Sequence, residues 1–155
     1  MDQLGLALHT LIAAEIINPV HQDILITAER LLKSNGIEEN IAPKDAVTYV
    51  QHFLSHVMTA FKPNRILAEY PVQHMTGKGQ LIKGWIDTLI EKNESWVIID
   101  HKFTDRTGNQ LEVEALKYSG QIRAYREGVE AATAKKVESN WIHFPLAGIL
   151  CELKI

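Results

Sequence analysis

Leu4, Leu8, Leu11, Ile12 and Ile16 recur at helical spacing and predict an amphipathic helix over residues 2–17, stopped near Asn18-Pro19. His9 falls on the border of its buried face. Residues 21–35 predict a second helix, ended by Asn35-Gly36 in the manner of a glycine cap. Pro43 suits the first position of a third helix, in which Val47, Val50, Leu54, Val57, Met58 and Phe61 form one apolar stripe up to Lys62-Pro63. His52 and His56 stand at i, i+4 on that helix but turn away from most of the stripe. No glutamate follows His52, so they read as solvated surface histidines.

The period then shortens. Residues 65–73 predict a strand, and Pro71, which cannot donate to a ladder, puts it at an edge or a bulge. Glu69 shares the face of Leu67 and Pro71, an unusual place for an acid. Two β-branched and aromatic runs follow, Gly84 to Glu91 and Trp96 to Phe103, separated by Lys92-Asn93-Glu94-Ser95: a β-hairpin. Residues 104–110 read as a polar loop, 111–132 as one long helix, and 137–144 and 149–155 as two closing strands. Cys151 alternates with polar neighbours on the last strand and reads as a small core residue.

The hairpin carries charge where core residues belong. With Asn93-Glu94 as a two-residue tip, Lys92 faces Ser95, Glu91 faces Trp96, and Asp87 falls opposite Asp100. Strand alternation adds Lys102 to the face of Asp100 and turns His101 to the other side. Two carboxylates facing each other among Trp96, Val97, Ile98 and Ile99 require a cation. That cation is either Lys102, in a structural ion cluster, or a divalent metal held by Asp87 and Asp100 with Lys102 beside the oxygen it activates; a loop with an odd number of residues would instead turn the two acids to opposite faces.

Composition narrows the chemistry. The 155 residues suit a single domain with a substantial core. The single cysteine excludes a disulfide framework or thiolate cluster, so a metal would use oxygen and imidazole. A formal net charge of −3 does not mark a generic nucleic-acid binder, although metals can neutralise phosphate locally. No apolar run is long enough to span a bilayer and the first residues lack the basic region of a secretory signal, which gives a cytoplasmic expectation with no membrane partner.

On the predicted long helix, Tyr118, Gln121 and Tyr125 fall on one face near Lys117, Arg123 and Arg126. The tyrosines suit a core, whereas a buried glutamine amide needs hydrogen-bond partners. In order, the chain presents Gly5 and His9, Glu69, Gly84-Trp85-Ile86-Asp87, Asp100-His101-Lys102, and Tyr118 to Tyr125. This series resembles the RecB-type nuclease domain of the PD-(D/E)XK superfamily, found in bacterial helicase–nucleases. The resemblance covers nearly the whole chain. It implies an α/β fold, a restriction-endonuclease-like core with a central mixed sheet flanked by helices. It implies a metal site of His9, Asp87, Asp100 and the backbone carbonyl of His101, with Mg²⁺ or Mn²⁺ as cofactor. Glu69 joins Asp87, Asp100 and Lys102 in the catalytic set, Lys102 orients the attacking water, and Gln121 with Tyr125 lines the phosphate path. His101 stands where the family has tyrosine, and Phe103 where it has a small polar residue.

The resulting expectation is a metal-dependent deoxyribonuclease, an exonuclease in double-strand break processing and recombinational repair, acting on DNA. It would be one domain of a longer chain, with a helicase in the native chain and a partner subunit. No Walker A sequence lies in the 155 residues. The rival readings are a catalytically inactive DNA-binding or scaffold domain of nuclease fold, and a different metal-dependent hydrolase. The second would have no need of the basic and aromatic helix face.

Overall fold

The computed structural model describes residues 3–18 and 23–155. Three helices come first: α1 (Gln3–Ile17), α2 (Ile24–Ser34) and α3 (Pro43–Phe61). The expected start of the second helix at His21, and Pro19 before it, lie outside the described residues. Then follow β1 (Arg65–Met75), β2 (Leu81–Glu91), β3 (Ser95–His101), α4 (Gln110–Leu116), α5 (Ser119–Thr133), β4 (Lys136–Phe144) and β5 (Ile149–Glu152). The strands form one sheet in the order β1-β2-β3-β4-β5, antiparallel except for the parallel pair β3/β4. A parallel neighbour needs a crossover, which α4 and α5 supply. The architecture is thus α/β with a mixed sheet flanked by helices.

Each face of the sheet has its own core. Leu8, Leu11, Ile12, Val50, Phe53 and Val57 of α1 and α3 pack on Ile90, Val97 and Ile99. Leu111, Ile122 and Val129 of α4 and α5 pack on Ile86, Leu89, Trp96, Ile98 and Ile142. Covered on both sides, β3 is buried from Trp96 to His101, which explains its unbroken apolar run.

Several expectations are corrected. The helix expected over residues 111–132 is two helices, because the Lys117 and Tyr118 N–H groups donate back to Glu114 and Ala115, three residues earlier, and Ser119-Gly120 follows. The buried stripe of α3 is Ala46, Val47, Val50, Phe53, Val57 and Phe61; Met58 is 55% exposed and Leu54 half-buried. Phe53, absent from the predicted stripe, is the residue that reaches the polar end of β3. Cys151 is half-buried at the margin of the second core. Pro71 does lie on an edge strand, opposite Trp85. Asn35-Gly36 does cap α2, with Gly36 left-handed at φ 66°.

The largest departure is at Glu69. Regular alternation would set Tyr70 and Val72 opposite Leu67, yet all three pack on the α5 side, while Ile66 packs on the α1–α3 side. The backbone of Glu69 is left-handed, φ 50°, and there the pleat changes phase. On β2, Ile86 and Leu89 show the same change across Asp87. Glu69 therefore leaves the face of Leu67, and the expected grouping of Leu67, Glu69 and Pro71 on one face does not hold. The two acids stand at the one place on this strand pair where inside and outside are exchanged.

Close helix–sheet contact beside Asp87 depends on Gly84. A Cβ there would lie 2.6 Å from Tyr125 Oη, so only glycine lets α5 sit down on β2.

Candidate active site

The hairpin register is the one counted from sequence. Glu91 pairs with Trp96 and the ladder runs to Thr88–Ile99, one step short of Asp87 and Asp100. Beyond that step the strands separate, and the Asp87 carboxylate accepts the His101 N–H through Oδ2 at 2.7 Å. Its other oxygen lies 3.2 Å from His9 Nε2, and Glu69 Oε1 lies 3.0 Å from the same nitrogen. One ligand atom from each of His9, Glu69 and Asp87 falls within 4.8 Å of the others, a group that could hold a metal ion. Helix α1, the bent edge strand and the hairpin each contribute one residue.

Asp100 sits deeper, 1% exposed. Lys102 Nζ is 2.5 Å from its Oδ2 and 4.8 Å from the centre of the Tyr118 ring. Burial, and then the charge of Asp87, push the Asp100 carboxyl up to about 6 against the opposing pull of Lys102. Burial would lower Lys102, but the Asp100 carboxylate outweighs it and holds the ammonium charged. His9 is also raised, by its contact with Asp87 foremost, against burial. Burial raises Glu69.

These shifts describe carboxylates that burial foremost, and the charge of Asp87 after it, makes costly to ionise despite His9 and Lys102. His9 Nε2, Glu69 Oε1 and Asp100 Oδ2 are all buried without a hydrogen bond of good geometry, despite their short charge contacts. Buried polar atoms are normally paired. Two of these atoms, His9 Nε2 and Glu69 Oε1, meet the Asp87 carboxylate at one point, and two carboxylate oxygens with one imidazole nitrogen suit a divalent cation, while Asp100 Oδ2 faces Lys102.

His101 turns away from Asp100 and Lys102, as alternation requires. Its Nε2 meets Thr88 Oγ1 at 3.1 Å and its Nδ1 meets His143 Nδ1 at 2.9 Å, so one histidine donates and the other accepts. Phe53 stacks on His143 at 4.4 Å. Burial, then the neighbouring His143, pushes His101 well below its ordinary range, and burial brings His143 to about 3; both rings are neutral. The His143 carbonyl accepts the Lys102 N–H at 2.8 Å. This support was invisible in the sequence, since Thr88, Phe53 and His143 come from three separate elements. The parallel pairing of His101 with His143, forty-two residues on, has no local signal.

The tyrosines differ in burial: Tyr125 is a core member and Tyr118 packs at the core's margin. Tyr125, expected along the phosphate path, is in the core at 7% exposure, and its hydroxyl accepts from Gln121 Nε2 at 2.9 Å. It is there because Gly84 leaves room for its ring. Tyr118, expected as a core aromatic, is half-buried against Lys102. Gln121 is exposed, and its amide is satisfied by Tyr125.

Residues 1–153 match the family described as the PD-(D/E)XK nuclease superfamily. The chain is 22% identical over 175 aligned residues to an ATP-dependent helicase/nuclease subunit of Listeria innocua, covering 99% of this chain and 14% of that protein. It is 38% identical over 65 residues to the protein of the same name from Carboxydothermus hydrogenoformans, covering 41% of this chain and 6% of that one. The chain thus spans about one seventh of the first relative's length. No helix among the described residues is long and apolar enough to cross a membrane.

Proposed function

The chain belongs to the PD-(D/E)XK nuclease superfamily, and from that premise we propose that it is a Mg²⁺- or Mn²⁺-dependent deoxyribonuclease whose active site is the cluster at the end of the hairpin. The observation that carries this reading is the convergence of ligand atoms from His9, Glu69 and Asp87, with His9 Nε2 and Glu69 Oε1 buried and poorly paired, next to the buried Asp100 and its charged partner Lys102.

His9, Glu69, Asp87, Asp100 and the backbone carbonyl of His101 would hold the ion. When bound, a divalent ion polarises a phosphate oxygen and lowers the pKa of a water molecule. The chain's own residues do the rest. Asp87 ties the His101 backbone to β2 through its Oδ2 and so fixes the strand that presents Asp100 and Lys102. The Lys102 ammonium, kept charged by Asp100 and seated on the Tyr118 ring, supplies positive charge for the attacking water and for the negative charge that grows on the phosphoryl oxygens. No covalent enzyme intermediate is needed.

As a biological setting we propose exonucleolytic processing of double-strand breaks in recombinational repair. The support is the likeness to helicase/nuclease subunits of which this chain spans a small part. The chain is then the nuclease domain of a longer protein, with DNA as substrate, a helicase in the same native chain, a second protein as partner, and a cytoplasmic location. The presence of His9, Glu69, Asp87, Asp100 and Lys102 together argues against an inactive scaffold.

Incubation with linear DNA tests the reading. Cleavage is expected with Mg²⁺ or Mn²⁺ and not with Ca²⁺, which accepts the same oxygens in looser geometry. Equal cleavage in excess chelator, or none with any ion, overturns it.

A further inference from the structure

The antiparallel arm formed by β1 and β2 extends past Glu69 and Asp87. On one of its faces α5 packs closely: a Cβ on Gly128 would collide with the Val72 side chain, and Tyr125 covers Gly84. Ile86 is buried on that side. The residues that alternate with these, Pro71, Gln73 and Met75 on β1 and Leu81, Lys83 and Trp85 on β2, are all exposed. They pair across the strands as Pro71 with Trp85, Gln73 with Lys83 and Met75 with Leu81, one continuous open strip. Its inner end is two residues from Glu69 and Asp87, about 7 Å at strand spacing.

The strip is unusual in content as well as position. Trp85 is 59% exposed, a large aromatic surface left in water beside the candidate catalytic acids. Isolated surface hydrophobics are ordinary, but this one is framed by a proline and a lysine, and no carboxylate lies on the strip although the chain carries a net charge of −3. A flat aromatic face and a cation, leading directly into a phosphate-cutting site, suit a nucleic-acid strand. In a duplex each base is already stacked on both sides, so a free π-face is offered only by an unpaired base.

We propose that this arm guides a single strand of DNA into the site, with an unpaired base stacked on Trp85 and its backbone phosphates met by Lys83 and Gln73. The inference deepens the nuclease reading and rests on it: the substrate is a single strand, or the frayed single-stranded end of a duplex.

Fluorescence titration tests it, using the Lys102→Ala chain so that DNA is held and not cut. Of the three tryptophans Trp96 is buried and Trp141 half-buried, so a ligand on the arm reports through Trp85. A short single-stranded oligonucleotide should quench the emission and bind at least about tenfold more tightly than a blunt duplex of the same sequence. By anisotropy of a labelled oligonucleotide, which needs no tryptophan reporter, Trp85→Leu, of similar apolar character without a π-face, should bind about tenfold more weakly, and Trp85→Phe within about threefold of the parent. Both variants should melt with the parent, since the residue is exposed. Absence of quenching, equal affinity for the duplex, or a leucine variant that binds like the phenylalanine variant would overturn the proposal and leave the strip as a protein contact. Cleavage by the parent chain is a separate readout. Quenching without any metal-dependent cleavage sinks the nuclease reading alone, whereas cleavage with unaffected binding in Trp85→Leu sinks the arm alone.

Discussion

Two polar groups flank the end of β3, and they are built on opposite terms. On one side His101, Thr88 and His143 form a closed set: both His101 nitrogens have partners, and Phe53 covers His143. Next to it, with the His9 ring edge-on to that of His101, His9, Glu69, Asp87, Asp100 and Lys102 form an open set, with three buried atoms lacking a well-formed hydrogen bond and a carboxyl lifted to about 6. A satisfied buried network rigidifies, whereas an unsatisfied one costs stability and persists where a ligand or a reaction uses it. The difference supports the proposed division, in which the histidine group gives support and the acid group the chemistry, though both hang from three consecutive residues.

The sharpest way to break that assignment is to substitute on each side and compare rate with stability. Lys102→Ala should lower the DNA cleavage rate by about a hundredfold or more, the range for losing one charge-stabilising group, with Mg²⁺ binding nearly intact. Lys102→Arg should not restore it, because a planar guanidinium fills the site differently. His101→Phe should do the reverse. It leaves Thr88 and His143 buried without their partner, at about 1–3 kcal/mol for each orphaned group, while the backbone carbonyl at 101 remains. Thermal melts and single-turnover rates on the folded fraction check both; a Lys102→Ala chain that cuts at the parent rate would reduce that lysine to a counter-ion.

The next effect separates the sides by pH. In the unfolded chain Asp100 releases its proton near 3.8, and in the fold near about 6. The folded state therefore holds an extra proton between those values. The stability this provides is present below about pH 4 and is lost as pH rises through about 6, by up to about 3 kcal/mol. Glu69 is raised too and adds a slope of the same sign, so Asp100→Asn is the reference that isolates Asp100. Relative to that variant, the parent's melting temperature should fall between pH 4 and pH 7, and Mg²⁺ should recover the loss in the parent and not in the variant. Parallel pH profiles for the two proteins would place Asp100 in a balanced structural pair with Lys102.

What could be read in the sequence, and what could not, follows the same division. The hairpin register was legible because a two-residue tip fixes the count, and with it the levels of Asp87 and Asp100. The edge position of Pro71 and the cap at Gly36 were legible for the same local reasons, while the mixed sheet came from the family resemblance. The phase change at Glu69 was not, since a left-handed glutamate leaves no trace in composition or period. Nor was the closed histidine set, whose members meet only through the parallel pairing of β3 and β4. The family motif order placed the acids and the lysine, but it could not say that Lys102 occupies Asp100 while Glu69 joins His9 and Asp87.

The smallest effect tests Tyr118, which packs at the margin of the second core and also meets Lys102. Periodicity gave Tyr118 to the core, yet its ring lies 4.8 Å from the Lys102 ammonium and is only half-buried. A cation over an aromatic face gains about 0.5–1 kcal/mol when exposed and about 2 when desolvated, and Lys102 is 18% exposed. Tyr118→Phe keeps the π-face and should leave cleavage unchanged. Tyr118→Leu keeps apolar bulk and loses the quadrupole, so it should slow cleavage by about three- to tenfold through a less well-held ammonium. The melting temperature should move little in either variant, because leucine still covers the same surface. A core tyrosine behaves otherwise: its replacement by leucine leaves a cavity and costs stability before it costs rate. Rates and melts of the two variants thus decide whether this ring belongs with the open group or with the packed one, and a Tyr118→Leu chain that melts far below the parent while its folded fraction cuts at full rate would return the tyrosine to the core.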